Sequence, residues 1–180
     1  MLKIRTLPKT LQTLPYFSCQ KSTHRFFSQA PPAYGDAPRI KYDADKLLDK
    51  FKKYVAPIRP KIVLPEAIDG RVLKAARAAH DSFCDITLVC RSGDEDTVRK
   101  EAQKYKVDLS GIELFGVTSH PDYKKLSKLL EEARKGKKVP DTTDPLVFAN
   151  MMVKNNLAQG SVAGAITSSG DTVRHAIQVI

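Results

Sequence analysis

The sequence has no tryptophan, and its 180 residues include only three cysteines. Cys19, Cys84 and Cys90 are too few for a disulfide framework, and none belongs to the Cys-x-x-Cys pair that zinc and thiol redox sites use. Every apolar run falls short of the roughly 18 residues that a membrane-spanning helix needs. The four histidines lack the spacing of metal ligands. We therefore expect no disulfide scaffold, no metal site and no membrane partner.

Acidic residues are missing from the first 35 positions, which contain five basic residues and seven serines and threonines. This composition is typical of organellar transit peptides, and residues 25–28, Arg-Phe-Phe-Ser, resemble a matrix-protease site. We predict a mitochondrial transit peptide over residues 1–30, a linker over residues 31–42 and a location in the matrix. A disordered basic tail is the alternative. A secretory signal fits poorly because no unbroken apolar core follows the basic start.

The rest of the chain alternates short apolar runs with amphipathic segments. Strands are predicted at residues 61–64, 85–90, 112–115 and 160–166. Helices are predicted at residues 43–56, 69–83, 94–105, 120–135, from 145 to about 157, and 169–180. Interleaved strands and helices favour parallel βαβ units with helices on both sides. The fold class is therefore α/β, with a parallel, Rossmann-like, three-layer αβα sheet.

Helical periodicity also predicts which side chains are buried. The side chains expected inside the first helix are Leu47, Leu48, Phe51 and Val55. Those expected inside the helix over residues 120–135 are Leu126, Leu129, Leu130 and Ala133. Tyr105 is expected to point inward, and Asp144 is expected to cap a helix that has Pro145 at its first position.

The end of the chain continues an apolar helical repeat over residues 172–180, without a glycine or a polar cap. A helix that stops on apolar residues leaves unpaired carbonyl groups and exposed apolar surface. We expect the sheet to be truncated before later strands and a second domain, so the chain is interpreted as a fragment or a truncated product.

Three loops should lie together at one edge of the sheet. Right-handed crossovers bring every strand-to-helix loop to the carboxyl edge, where ligands of such sheets bind. These loops are residues 65–71, 91–93 and 167–172. In the first of them, Glu66, Asp69 and Arg71 stand where a site is expected, although Asp69 is equally suited to cap a helix with Arg71 as its surface neighbour.

The third loop carries the best chemical signal. It joins a strand of small residues to a helix, and the N-terminus of a helix favours phosphate through its free N–H groups and its dipole. Arg174 could reach a phosphate with a two-pronged contact. Hydroxyl donors are supplied by Ser168, Ser169 and Thr172. The alternative is an ordinary capped helix, with Ser169 or Asp171 as the cap and Arg174 in solvent; the charge of Asp171 would also compete with an anion.

A basic cluster occupies residues 134–138, Arg-Lys-Gly-Lys-Lys. It could contact the phosphates of a large anionic ligand, or it could be a solvated helix end whose cations the dipole favours. Nucleic acid is not expected as a partner, because Glu131 and Glu132 interrupt the patch and no aromatic platform accompanies it.

A family resemblance emerges from motifs that follow one another in order. Residues 61–76 read Lys-Ile-Val-Leu-Pro-Glu-Ala-Ile-Asp-Gly-Arg-Val-Leu-Lys-Ala-Ala, and residues 144–154 read Asp-Pro-Leu-Val-Phe-Ala-Asn-Met-Met-Val-Lys. Both resemble the corresponding motifs of phosphate acetyltransferases. Further similar stretches are residues 108–113, 134–136, 160–165 and 168–180. The resemblance therefore covers residues 61–180.

The resemblance implies transfer of an acetyl group between coenzyme A and inorganic phosphate, giving acetyl phosphate and free coenzyme A or the reverse. It implies a two-domain α/β enzyme, commonly a homo-oligomer, with no cofactor because coenzyme A is a substrate. It assigns phosphate binding to Arg134 and Arg174, and it places Ser168 and Thr172 in the same signature loop.

The family's catalytic aspartate and its partner serine and arginine belong to a later part, beyond Ile180. No catalytic residue is therefore expected in this chain, which alone should be inactive. A non-catalytic mitochondrial interaction module is the alternative function, and an enzyme for longer acyl groups such as butyryl is a third possibility.

Overall fold

A computed structural model describes residues 44–180 of the protein, with side chains from residue 46 onward. The predicted transit peptide over residues 1–30 and the linker over residues 31–42 lie outside the described residues. No helix in the described part is long and apolar enough to cross a membrane.

Within residues 44–180, four parallel strands form one sheet. They are β1 (Lys61–Leu64), β2 (Asp85–Cys90), β3 (Glu113–Gly116) and β4 (Gly160–Ser161), and they lie in the order β3-β2-β1-β4. Val63 lies opposite Thr87 in the pairing of β1 with β2, and Thr87 lies opposite Glu113 in the pairing of β2 with β3. The predicted parallel α/β sheet is confirmed.

The described residues form six α-helices, five of which pack against this sheet. They are α1 (Ala44–Val55), α2 (Gly70–Ser82), α3 (Glu95–Lys104), α4 (Tyr123–Ala133), α5 (Pro145–Lys154) and α6 (Ser169–Val179). A short 3-10 helix, Val117–Ser119, follows β3.

Helices α2 to α6 lie in two layers because successive strand side chains point to opposite faces. Val63 and Val89 are buried with apolar residues of α4, α5 and α6. Their neighbours Leu64 and Leu88 are buried with residues of α2 and α3. Two apolar clusters therefore sandwich one sheet, which is the predicted three-layer αβα arrangement.

Helix starts follow the expected capping chemistry. The Asp144 carboxylate accepts hydrogen bonds from the amides of Leu146 and Val147, at 2.8 and 3.4 Å, and Pro145 begins α5. Asp69 caps α2 by accepting from the Arg71 amide at 2.7 Å. These side chains satisfy amides that have no partner inside the helix.

The predicted burial is wrong at several positions. In α1, the Leu47, Leu48 and Phe51 side chains are 49%, 46% and 58% exposed. Periodicity identifies the apolar face of a helix but not whether another element covers it, and α1 joins neither apolar cluster. For the same reason Tyr105 and the predicted α4 core residues Leu129 and Ala133 are exposed.

The predicted strand over residues 160–166 ends after Ser161. The amide of Val162 still donates to the carbonyl of Val63 at 3.0 Å. Beyond that point the backbone turns at Gly164, whose φ of 105° lies in the region that glycine adopts readily. The amides of residues 164–167 donate to the Glu66 side chain and not to a neighbouring strand.

Candidate functional site

A cleft of about 280 Å³ lies at the carboxyl edge of the sheet. Its walls come from the segments that follow β1, β2 and β4 and from the start of α5. The lining residues are Pro65, Glu66, Ala67, Ile68, Cys90, Arg91, Asp94, Asp144, Pro145, Leu146, Ile166 and Thr167. All three loops predicted for this edge contribute to the lining, so the sheet topology assembles them as expected.

Next to this cleft, Ser168 is the residue that caps α6. Its Oγ accepts a hydrogen bond from the amide of Asp171 at 3.2 Å and donates to the Asp171 carboxylate at 2.8 Å. The Thr172 hydroxyl donates to the carbonyl of Ser168 at 3.0 Å. Two of the three predicted hydroxyl donors, those of Ser168 and Thr172, therefore make hydrogen bonds within the helix start, whereas none involves the hydroxyl of the exposed Ser169 among the described residues. The capping role expected of Ser169 or Asp171 belongs to Ser168.

The start of α6 also presents positive charge to solvent. The Arg174 side chain is 65% exposed, and its guanidinium lies 3.0 Å from the Asp171 carboxylate. Among the described residues, no acceptor pairs with the amides of Ser169 and Gly170. An exposed guanidinium and unpaired amides at a helix N-terminus are suited to an anion.

Arg134 lies at the other end of α6. Its Nη1 donates to the carbonyl of Gln178 at 2.8 Å, and its Nε donates to the carbonyl of Lys138 at 2.9 Å. A rise of about 1.5 Å per residue separates Ser168 from Gln178 by about 15 Å. The structure thus brings Ser168, Ser169, Thr172 and Arg174 together and leaves Arg134 apart, where a cation is favoured by the helix C-terminus.

The sequence placed Glu66 at this edge of the sheet but did not reveal what its carboxylate binds. Its side chain follows β1, is 7% exposed, and accepts four backbone hydrogen bonds from residues 164–167. Burial raises the pKa of this carboxyl, but the hydrogen bonds from Thr167, Ala165 and Ile166 outweigh burial and leave the pKa below its ordinary value. Its partners lie about a hundred positions away in the chain, so no local pattern could identify them.

Arg71 binds a carbonyl group of the segment whose amides bind Glu66. Its guanidinium donates to the carbonyl of Ala165 at 2.7 Å and pairs with Asp69 at 2.6 Å. Hydrogen bonds from the Arg71 side chain and amide lower the pKa of Asp69 to about 2. Arg71 is therefore more than the surface neighbour of a cap, because it links the loop after β1 to the loop after β4.

The two described cysteines are buried thiols. Burial raises the pKa of Cys84, and it raises that of Cys90 to about 11. Neither is suited to nucleophilic chemistry near neutral pH. Within residues 46–180, no group of three or more histidine, cysteine, aspartate or glutamate side chains is placed to hold a metal ion.

These features define a doubly wound α/β protein with a cleft and an exposed helix start at the carboxyl edge of its sheet. The family model described as phosphate acetyl/butaryl transferase matches residues 46–180. The chain belongs to this family.

Individual relatives agree with this membership. A phosphate acetyltransferase of Staphylococcus aureus is 39% identical over 141 residues, covering 74% of this chain and 42% of the relative. One from Staphylococcus epidermidis is 37% identical over 125 residues, covering 67% of this chain and 37% of the relative.

Solved structures of phosphotransacetylases share the fold. The EutD phosphotransacetylase from Staphylococcus aureus has a TM-score of 0.67 at 35% identity, and the phosphotransacetylase from Streptococcus pyogenes has a TM-score of 0.68 at 30% identity. Each comparison covers 76% of this chain and 42% of the solved one. The chain thus spans about two fifths of the length of these relatives.

Proposed function

We propose that this chain supplies the phosphate-binding side of an acyltransferase that exchanges acetyl between coenzyme A and inorganic phosphate. The observation that supports it most is the exposed Arg174 side chain near the start of α6, a helix whose first amides have no partner among the described residues and whose cap follows the cleft-lining Thr167. Both substrates carry phosphate, which such a helix start stabilises. The names of the relatives and the family membership point to the same reaction.

In the proposed reaction a phosphate oxygen forms a bond to the acetyl carbonyl carbon, and the carbon–sulfur bond to coenzyme A breaks. The electron pair of that bond leaves with the sulfur, and the reverse reaction restores the thioester. Oxidation states do not change, so coenzyme A serves as a substrate and the proposal includes no cofactor. Arg174 and the α6 amides would bind and orient the phosphate and offset its charge as the bond forms.

The proposal assigns no catalytic base to this chain. The family resemblance places the catalytic aspartate, serine and arginine in a part of the family that these 180 residues do not match. We accordingly expect no acetyl phosphate from this chain alone, and a homo-oligomer in the active enzyme. Measurable acetyl phosphate formation by the purified chain, from acetyl coenzyme A and phosphate, would contradict that expectation.

The proposed location is the mitochondrial matrix, and it rests on residues 1–30 of the sequence. A reporter fused to residues 1–35 should enter mitochondria. The matched control replaces the five basic residues of this segment with glutamine, which should leave the reporter in the cytosol because the import potential acts on positive charge. Cytosolic fluorescence from the unaltered fusion would contradict the transit peptide.

Binding of inorganic phosphate and of coenzyme A to the purified chain tests the site directly. Titration calorimetry should show that Arg174→Ala weakens phosphate binding roughly tenfold or more, because a charge-assisted hydrogen bond is worth about 1.5–3 kcal/mol. Arg99→Ala, which removes an exposed arginine of α3, is the control and should bind like the parent chain. Equal affinities for the two variants would remove Arg174 from the site. No binding of either ligand to the parent chain would favour the non-catalytic interaction module.

A further inference from the structure

We infer that Glu66 is a positioning residue, whose carboxylate holds residues 164–167 in the conformation that shapes the cleft and directs the start of α6 toward a bound anion. This inference rests on the proposed function for the identity of that anion. Residues 164–167 are called the β4–α6 loop below.

Both oxygens of the Glu66 carboxylate are used, each for two successive amides. Oε2 accepts from Gly164 at 2.9 Å and from Ala165 at 2.6 Å. Oε1 accepts from Ile166 at 3.1 Å and from Thr167 at 2.7 Å. Successive amides that converge on one point form an anion-binding concavity. Here a side chain of the protein fills it, so a substrate phosphate cannot use these four amides while Glu66 is in place.

The β4–α6 loop is held from its carbonyl side as well. Arg71 donates to the carbonyl of Ala165 at 2.7 Å. The loop begins at Gly164, whose positive φ turns the following amides away from the direction of the strand. A carboxylate on the N–H side and a guanidinium on the C=O side therefore leave the loop little conformational freedom.

The loop connects the cleft with the proposed phosphate site. Ile166 and Thr167 line the cleft, and the next residue, Ser168, caps α6. Any displacement of this loop moves the cap and the first helical amides relative to the cleft. Both oxygens of the Glu66 carboxylate are taken up by these amides, so Glu66 acts through the backbone that it binds.

Glu66→Ala offers a sharp test because it leaves a carboxylate-sized space lined by four amides. We expect amide hydrogen exchange to accelerate at residues 164–167 by at least tenfold and phosphate affinity to fall severalfold. Sodium formate should restore both properties by placing a carboxylate in the space, whereas sodium chloride at the same ionic strength should not. A role confined to general stability would not respond selectively to formate.

Glu95→Ala is the matched control. The Glu95 carboxylate also accepts from backbone amides, those of Gly93 and Gly116 at 2.8 and 2.9 Å, beside the carboxyl end of β3. This variant should lose comparable stability in urea and keep phosphate affinity and exchange protection in the β4–α6 loop. Equal loss of affinity in both variants, or loop protection that persists in Glu66→Ala without formate, would overturn the inference.

A second variant serves if Glu66→Ala does not fold. Arg71→Ala removes an exposed side chain and frees the carbonyl of Ala165, so exchange in the β4–α6 loop should still accelerate. Unchanged hydrogen exchange in Arg71→Ala would contradict the claim that Arg71 restrains the β4–α6 loop together with Glu66. The exchange measurement needs no ligand. If the parent chain binds no phosphate but its loop responds to Glu66 and formate as expected, the proposed function fails while the holding of the loop stands.

Discussion

The guanidinium of Arg134 donates a hydrogen bond to the carbonyl of Gln178 at 2.8 Å, and this contact joins the end of α4 to the end of α6. A second bond from the same side chain reaches the carbonyl of Lys138 at 2.9 Å. Arg134 thereby pairs the carbonyl of Gln178, which the helical pattern leaves without a partner, and links it to the loop after α4. In this structure the basic cluster over residues 134–138 thus contributes a helix-capping side chain.

Replacement of Arg134 by alanine should lower the free energy of unfolding by about 1–3 kcal/mol, because two charge-assisted hydrogen bonds to carbonyls are lost. Urea denaturation followed by circular dichroism measures the change. Lys135→Ala, in the same basic cluster and exposed, should change stability by less than about 0.5 kcal/mol. Equal effects would show that charge, and not the directed hydrogen bonds, accounts for the role of Arg134.

Removal of the Asp144 cap should destabilise the protein, because α5 is buried against the sheet. Asp144→Ala should cost about 1 kcal/mol, the usual effect of losing an N-cap. Asp94 provides the comparison, since it occupies the same position before α3 but makes no side-chain capping bond. Thermal unfolding should therefore show a clearly smaller change for Asp94→Ala. A larger loss for Asp94→Ala would contradict the assignment of the cap.

Asp171 should oppose anion binding at the start of α6. Its carboxylate lies 3.0 Å from the Arg174 guanidinium and therefore competes with phosphate for it. Asp171→Asn should strengthen phosphate binding about fivefold, the effect of removing roughly 1 kcal/mol of repulsion at a solvated site. Calorimetric titration of the purified chain measures it, with Asp96→Asn on α3 as the control. Unchanged or weaker binding in Asp171→Asn would count against the helix start as the anion site.

The pairing of Asp69 with Arg71 should appear as a titration at low pH. The pKa of Asp69 is about 2 in the folded chain, below its ordinary value of 3.8. A lowered folded-state pKa gives stability that is present above the unfolded-state pKa and is lost as the pH falls toward 2. The carboxyl carbon resonance of Asp69 should thus titrate near pH 2, and Arg71→Ala should move that titration upward.

Asp108 is the internal reference for that experiment. Hydrogen bonds from Ser110 lower its pKa, with only a small contribution from Arg77. Its titration should therefore be the same in the parent chain and in Arg71→Ala. A shift of both resonances would indicate a general change in the fold, and a fixed Asp69 resonance would contradict its pairing with Arg71.

Local chemistry made several features predictable from the sequence alone. The strands at Lys61–Leu64 and Asp85–Cys90 have the predicted bounds, because compact apolar runs between polar segments leave few alternatives. The start of α5 follows from Asp144 and Pro145, whose preferences act over neighbouring residues only. Parallel topology then follows from the alternation of elements, and it brings the three loops to one edge.

Tertiary structure alone decided what depends on distant partners. Burial of the apolar face of α1 requires an element to cover it, and periodicity does not carry that information. Separation of Arg134 from Arg174 depends on how α4 packs beside α6. The conformation of the loop after β4 depends on Glu66, a carboxylate about a hundred residues earlier that accepts hydrogen bonds from the amides of that loop. The sequence determines local conformation because capping and turn preferences act between residues a few positions apart. The site is instead assembled by contacts between distant residues, which form only in the folded chain.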